Sequence, residues 1–327
     1  MVSVIITTYK RADFLERAIE SVLNQSYKDF ELIVVDDNDK ETEFRHKVEE
    51  LMQKYETNPK VIYIKHEKNK NGAAARNTGI KVAKGEFISF LDDDDYYFKD
   101  RLKILVSTLE KYNEYNAAYT SVIKIRNNRI YEYINAKDDG NLEFEFLQLK
   151  SCIGTGSNMF FRTKVLKQLG GFDESFMRHQ DLEVMVRFFE KGNIIKAIDK
   201  VLVLKDEASR INAPNIEKQI QNGEKYLNRF ESNIKNYKDK SSIIYEECYY
   251  QMLKFCVRSG DKKKIKLMKE KCEKYHKLSF RKKIKLLILN ANRYVNIEGL
   301  KDIINNHNII KKLDNDVINE MKQNHFI

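Results

Sequence analysis

The stretch Phe87-Ile88-Ser89-Phe90-Leu91-Asp92-Asp93-Asp94-Asp95 decides how this chain is read. Its apolar part alternates and ends in Phe-Leu, the pattern of a buried strand. The four aspartates therefore concentrate negative charge at the rim of a sheet, where like charges repel. Such a cluster calls for a cation, and hard carboxylate oxygens favour Mg²⁺ or Mn²⁺ of the kind shared with a substrate's phosphates. Taken alone, the cluster suits equally well a solvated acidic turn capping the helix that begins near Asp100.

The flanking segments form an alternating pattern. Val2 to Thr7 reads as a buried strand, Leu15, Ala18, Ile19, Val22 and Leu23 mark one helix face, and Glu31 to Val35 reads as a second strand. Phe44, Val48, Leu51, Met52 and Tyr55 repeat at helical spacing before a third strand, Val61 to Ile64. A helix from about Ala73 to Ala83 then leads into the Phe87 strand, and Leu102, Leu105, Leu109 and Tyr112 mark the next. This rhythm predicts an α/β fold, a mostly parallel sheet with helices on both faces. Ligands of such sheets gather at the carboxyl ends of the strands, and here those ends deliver Thr7, Thr8 and Tyr9, then Asp36 and Asp37, then Asp92 to Asp95. An Asx turn before Asn38 is the plainer account of Asp36 and Asp37.

Composition bounds the rest. With 327 residues, 42% of them hydrophobic, and only 2 prolines and 12 glycines, the chain has material for one large domain and a smaller one, and is no low-complexity protein. No apolar stretch reaches bilayer-spanning length and the first residues run directly into a strand, so a cytoplasmic protein is expected. The 4 cysteines, Cys152, Cys248, Cys256 and Cys272, contain no CxxC pair and read as buried thiols. The net charge of +10 is uneven: residues 211–327 hold 25 Lys and Arg against 14 Asp and Glu, while residues 1–210 are nearly balanced at 34 against 35. A boundary near Arg210 follows, dividing a domain over 1–210 from a basic, all-helical domain over 211–327.

Four segments carry a resemblance. VSVIITTYKR at 2–11, SVLNQSYKDFELIVVDD at 21–37, NGAAARNTGIKVAKGEFISFLDDDD at 71–95 and GGFDESFMRHQDLEVMVR at 170–187 resemble, in order, the successive motifs of glycosyltransferase family 2. The resemblance implies the GT-A fold and transfer of a sugar from a nucleotide-diphosphate donor, typically a UDP-sugar, with inversion at the anomeric carbon. It implies nucleotide-binding roles for Thr7, Tyr9, Asp37, Arg76, Asp92 and Asp93, with Asp37 reading the uracil or ribose. Asp94 matches the metal ligand of the DxD element, for Mn²⁺ or Mg²⁺, although Asp93 stands where a small neutral residue is usual. Asp181 matches the general base of the ED element, with Gln180 in place of the glutamate. Gly154-Thr155-Gly156-Ser157 resembles a loop lining the acceptor side, or is a plain turn.

An inverting displacement needs a base opposite the leaving group, which is the chemistry a carboxylate at Asp181 provides. A helix-start aspartate gaining from the macrodipole is the structural alternative for that residue, and His179 is a second candidate base. The acceptor implied is a glycan or lipid-linked hydroxyl in bacterial polysaccharide or lipo-oligosaccharide assembly. A sugar-phosphate nucleotidyltransferase would need a glycine-rich loop after the first strand, where Thr-Tyr-Lys-Arg-Ala-Asp stands. A catalytically inert nucleotide-sugar binding module is the other alternative.

Beyond Arg210, helices are expected over 215–237, 241–259 and 261–275. Phe280, Ile284, Leu287 and Ile288 share one helical face beside Arg281, Lys282, Lys283 and Lys285. That arrangement suits either a core-facing helix or one lying on anionic lipid at the inner membrane face. Nucleic acid is not an expected partner, because no aromatic or glycine-rich recognition motif accompanies the charge.

Overall fold

The computed structural model describes residues 1–207, 215–294 and 297–327, with the side chains of 297–301, 303 and 304 left aside. In chain order the elements are β1 (Val2–Thr8), α1 (Ala12–Leu23), β2 (Phe30–Asp36), α2 (Glu43–Gln53), β3 (Val61–Lys65), α3 (Gly72–Val82), β4 (Phe87–Asp92) and β5 (Tyr96–Tyr97). There follow α4 (Arg101–Lys111), β6 (Ala117–Arg126), β7 (Arg129–Ile134), α5 (Glu143–Leu147), β8 (Phe160–Arg162), α6 (Thr163–Gln168), α7 (Gln180–Glu190) and β9 (Ile195–Asp206). The remainder is helical: α8 (Ile216–Arg229), α9 (Glu231–Asn236), α10 (Ser241–Ser259), α11 (Lys262–Glu273), α12 (Phe280–Ala291), α13 (Ile297–Ile310) and α14 (Asn315–Gln323).

The strands form one sheet in the order β3-β2-β1-β4-β8-β6-β9-β5, with β7 paired to β6. From β3 to β4 all neighbours are parallel, as the alternating pattern predicts. Beyond β4 the sheet is mixed, since β8 runs antiparallel to both β4 and β6, and β6 runs parallel to β9. The period of two sorts side chains between the faces. Val2, Val4, Ile6, Leu32 and Val34 pack with Leu15, Ile19 and Val48 of α1 and α2 and with Leu102 and Leu105 of α4. On the other face α3 lies so close that a methyl group on Gly79 would come within 2.6 Å of the Ile5 side chain. Phe188 of α7 meets Phe161 of β8 edge to face, ring centroids 5.5 Å apart.

Contacts gather the chain into two compact units. One comprises Met1–Leu142, Cys152–Ser209 and Asn305–Ile327; the other comprises Glu143–Ser151 and Arg210–Ile304. The change of unit at 209/210 falls where the charge balance shifts, but the expected division into 1–210 and 211–327 differs at two places. Glu143–Ser151 belongs with the helices because Tyr226 donates its hydroxyl to the Phe146 carbonyl and Tyr237 and Asn233 both donate to Glu143. The last helix, α14, belongs with the sheet. There Glu320 accepts from the Tyr96 hydroxyl at 2.9 Å, Phe326 packs edge to face on Tyr96, and the Arg17 guanidinium lies over the Phe326 ring.

In the helical unit, Tyr226, Leu227, Phe230, Ile244, Cys248, Met252 and Cys256 are buried. Gly223 allows α8 to approach α10, where an added Cβ would stand 2.6 Å from the Met252 sulfur. Asn215, Asp261 and Ser279 cap α8, α11 and α12 with their side-chain oxygens, and Gly260 ends α10 in the left-handed region. Cys248, Cys256 and Cys272 are buried thiols and Cys152 is partly exposed.

Gly85, at the turn into β4, has no room for a side chain: a Cβ would lie 2.5 Å from the Ser3 backbone nitrogen and 2.8 Å from the Phe87 carbonyl oxygen. Because both neighbours are backbone in paired strands, neither can yield cheaply. Gly85→Ala should destabilise the protein by about 2 kcal/mol or more. Urea unfolding checks this, and an unchanged midpoint would show that the β1–β4 pairing tolerates displacement.

Candidate active site

Pairing in register brings three strand ends together. Thr7 on β1 stands opposite Asp92 on β4, and Thr8 stands opposite Asp36 on β2. The turn after β4 is closed by the Asp95 amide donating to the Asp92 carbonyl at 3.1 Å. The chain after β1 is pinned against it: the Tyr9 amide donates to Asp93 at 3.3 Å, and the Lys10 amide, at a residue with φ of 60°, donates to Asn38 at 2.9 Å.

Cationic side chains meet each member of the acidic turn. Arg11 bonds Asp93 at 3.2 Å and also the Asp94 carboxylate. Arg17 donates to the Asp94 carbonyl at 2.8 Å and pairs with Asp206 at 3.0 Å. Arg76 bonds Asp92 at 2.6 Å, and Lys205 on β9 lies 3.9 Å from Asp95. Asp95 Oδ2 further accepts from Ser157 at 2.5 Å and Thr155 at 3.1 Å, so the Gly154-to-Ser157 loop buttresses the acidic turn.

The charges are unevenly compensated. Burial pushes Asp93 up to about 8 and Asp95 up to about 7, with Arg11 and Lys205 respectively pulling the other way and Asp94 adding repulsion to both. Burial also opposes ionisation of Asp92, but Arg76, Lys205 and Arg11 outweigh it and hold this carboxyl below its usual range. Lys205, buried among carboxylates, is raised despite its desolvation. Burial, opposed only in part by the cations, thus makes two of the four carboxyls reluctant to ionise.

The donor set fits a divalent cation. Carboxylate oxygens of Asp92, Asp94 and Asp95 lie within 4.8 Å of one another. Asp95 Oδ1 is buried without a hydrogen-bond partner among the described residues, a costly state for a carboxylate oxygen. An all-oxygen set of this kind suits Mg²⁺ or Mn²⁺. The sequence singled out Asp94 as ligand; here Arg11 is already paired with that carboxylate.

Asp181 reaches the same rim from a distant stretch of chain. It is the second residue of α7, and a Cβ on Gly156, one residue before Ser157, would lie 3.8 Å from the Asp181 Cβ. A second link runs through Gln180, whose side-chain oxygen accepts from Arg76 at 2.8 Å while Arg76 also holds Asp92. The Gln180 amide nitrogen donates to the Phe176 carbonyl at 2.8 Å, which fixes its orientation. Glutamine suits this position because the one group offers both the acceptor for Arg76 and the donor for the loop. Burial lowers the His179 imidazole below its ordinary value, with Asp181 pulling upward, so the ring is neutral at neutral pH.

Asp37 departs from its expected task. Oδ1 accepts from His66 at 2.7 Å and from the Lys70 amide at 2.9 Å, and Oδ2 accepts from Asn69 at 2.8 Å and the Asn71 amide at 2.9 Å. Four bonds use the whole acceptor capacity of a carboxylate. In this structure Asp37 organises the 66–71 loop and the start of α3, and so positions Arg76; no lone pair remains for a base or ribose. Asp36 is equally occupied, with Arg45 at 2.8 Å, Tyr63 at 2.8 Å and Asn38 at 2.8 Å. Thr7, Tyr9, Arg76 and Asp92 to Asp94 do converge on one edge with Asp181. Sequence reading missed Arg11, Arg17 and Lys205 as partners of the acidic turn. Arg11 lay within a quoted motif, whereas Lys205 had no local signal.

The family model described as glycosyl transferase family 2 matches residues 3–170. The chain belongs to that family. An uncharacterized glycosyltransferase of Rickettsia felis is 34% identical over 202 residues, which span 62% of this chain and only 32% of the relative. The Escherichia coli UDP-Glc:alpha-D-GlcNAc-diphosphoundecaprenol beta-1,3-glucosyltransferase is 31% identical over 194 residues, 59% of this chain and 72% of that one. In fold, the chain is similar to a Pyrobaculum calidifontis mannosyltransferase solved with GDP-Man and Mn²⁺, at a TM-score of 0.55, 17% identity, and coverage of 90% of this chain and 87% of that one. The GT-A fold expected of family 2 is thus the fold observed.

The two accounts of Asp37 separate experimentally. Asp37→Asn replaces two acceptor positions with donors that face other donors, and should cost about 2–3 kcal/mol of stability. Urea unfolding measures it; a variant of unchanged stability that loses only donor affinity would restore the base-reading role.

Proposed function

We propose that this family 2 protein is an inverting glycosyltransferase acting on a nucleotide-diphosphate sugar, with Asp181 as the general base. The observation that supports the reading is the bridge Asp92–Arg76–Gln180, which ties the acidic turn after β4 to the start of α7, where Asp181 is the second residue. UDP is the favoured nucleotide, supported by the name of the Escherichia coli relative. The same name supports a lipid-linked saccharide as acceptor, with surface-glycan assembly as the setting.

Thr7 and Tyr9, at the end of β1, line the nucleotide's approach. Asp92, Asp94 and Asp95 would hold Mg²⁺ or Mn²⁺, which when bound neutralises charge on the diphosphate leaving group. Arg11 then has to share or release the Asp94 carboxylate. The acceptor hydroxyl oxygen forms the new bond to the anomeric carbon as the bond to the diphosphate oxygen breaks, and its electron pair leaves with the nucleoside diphosphate. The hydroxyl proton passes to Asp181. Attack from the face opposite the leaving group inverts the anomeric configuration, as in other single displacements assisted by a carboxylate base. Arg76 keeps Gln180, and with it the α7 start, in register with the β4 end.

Release of nucleoside diphosphate from a panel of nucleotide sugars with Mn²⁺ tests the activity, and turnover of a UDP-sugar is expected. Binding without either transfer or slow donor hydrolysis would make the protein an inert binding module.

Two variants separate the roles. Asp181→Asn should retain donor binding and lose about 10²–10⁴ in kcat. Asp94→Ala should weaken metal-dependent donor binding on the order of tenfold or more, read by calorimetry. Near-normal transfer by Asp181→Asn would remove it as the base.

A further inference from the structure

Helix α12 holds to its own unit by one face and presents a different face outward. Lys282, Leu286 and Leu289, spaced at i, i+4 and i+7, are half-buried. Lys282 bonds Glu246 and Glu247 of α10 at 2.5 and 2.7 Å, and its ammonium lies 4.7 Å from the centre of the Tyr250 ring. On the opposite side Phe280, Ile284, Leu287 and Ile288 are 78%, 40%, 68% and 44% exposed, and Tyr294, just past the helix end, is 76% exposed. At 100° per residue the four helical positions fall within an arc of about 100°, centred nearly opposite Lys282, Leu286 and Leu289. Burying a core-facing helix would reverse this arrangement.

The charge around that arc selects the partner. From Lys274 to Arg293 the sequence has seven Lys and Arg and no Asp or Glu. Arg281 and Lys285 flank the apolar arc on one side and Lys283 on the other, all at exposed positions. A second copy of the chain would set cations against cations, and an anionic glycan would leave the apolar arc in water. An anionic lipid surface satisfies both features, with the apolar side chains entering the acyl boundary and the cations among the headgroups. Aromatic Phe280 and Tyr294 at the two ends suit the interfacial layer.

We infer that α12 docks this protein on anionic membrane surfaces, lying in the plane of the interface on its Phe280–Leu287 face. This goes beyond the proposed transferase reading and does not depend on it. It would, however, bring the enzyme to the surface where a lipid-linked acceptor resides.

Co-sedimentation of the full chain with vesicles tests the docking. Binding is expected to phosphatidylcholine vesicles containing phosphatidylglycerol and not to phosphatidylcholine alone. Leu287→Asp, and separately the triple change Arg281→Gln, Lys283→Gln, Lys285→Gln, should each lower the partition coefficient by about tenfold or more. These side chains are exposed, so thermal unfolding and donor hydrolysis should match the parent protein, keeping membrane docking separable from turnover. Equal binding to both vesicles, binding to neither, or unchanged binding by Leu287→Asp would overturn the inference. So would a dimer in solution that Leu287→Asp dissociates.

Discussion

Four adjacent carboxylates at the end of one buried strand are the constraint around which the sheet-bearing unit is built. Isolated in a low-dielectric rim they would repel strongly, and the chain answers with four cations drawn from three places: Arg11 and Arg17 after β1, Arg76 on α3 and Lys205 on β9. Each of these contacts also fastens an element to the β4 end. Electrostatic compensation and tertiary assembly are here the same interactions, and they hold the four carboxyls together at one sheet edge. Oxygen ligands held together in this way are what a divalent cation requires of a protein surface.

A second layer of positioning lies behind that rim. Asp37 spends all of its acceptor capacity on the loop that launches α3, α3 carries Arg76, and Arg76 joins Asp92 to Gln180. In this structure Asp36 and Asp37 thus serve to align loops and helices. Replacement of glutamate by Gln180 keeps the bridge without adding another negative charge to a crowded edge.

Much of this was legible in the sequence because it rests on local pattern. The parallel half of the sheet followed from alternating apolar runs with helix-period spacing between them, and the Asp92–Asp95 rim from the end of one such run. The mixed half did not, because β8 is only three residues long and β9 pairs in an order that no local signal encodes. Asp181 was found through its motif, whereas its link to Asp92 depends on a glutamine and an arginine 104 positions apart. The fate of Asp37 was unreadable for the same reason: a motif marks where a carboxylate stands, and the geometry of a distant loop decides which lone pairs are left.

The placement of α14 bears on how the protein is made. A chain emerging from the ribosome exposes β1 through β9 first, then the whole helical unit, and only afterwards Glu320 and Phe326, which seat against Tyr96 and under Arg17. Arg17 in turn grips the Asp94 carbonyl. Seating α14 therefore joins positions more than 200 residues apart, a contact of high sequence separation. A chain cut before α14 would leave the Tyr96 ring and the Arg17 guanidinium without these contacts.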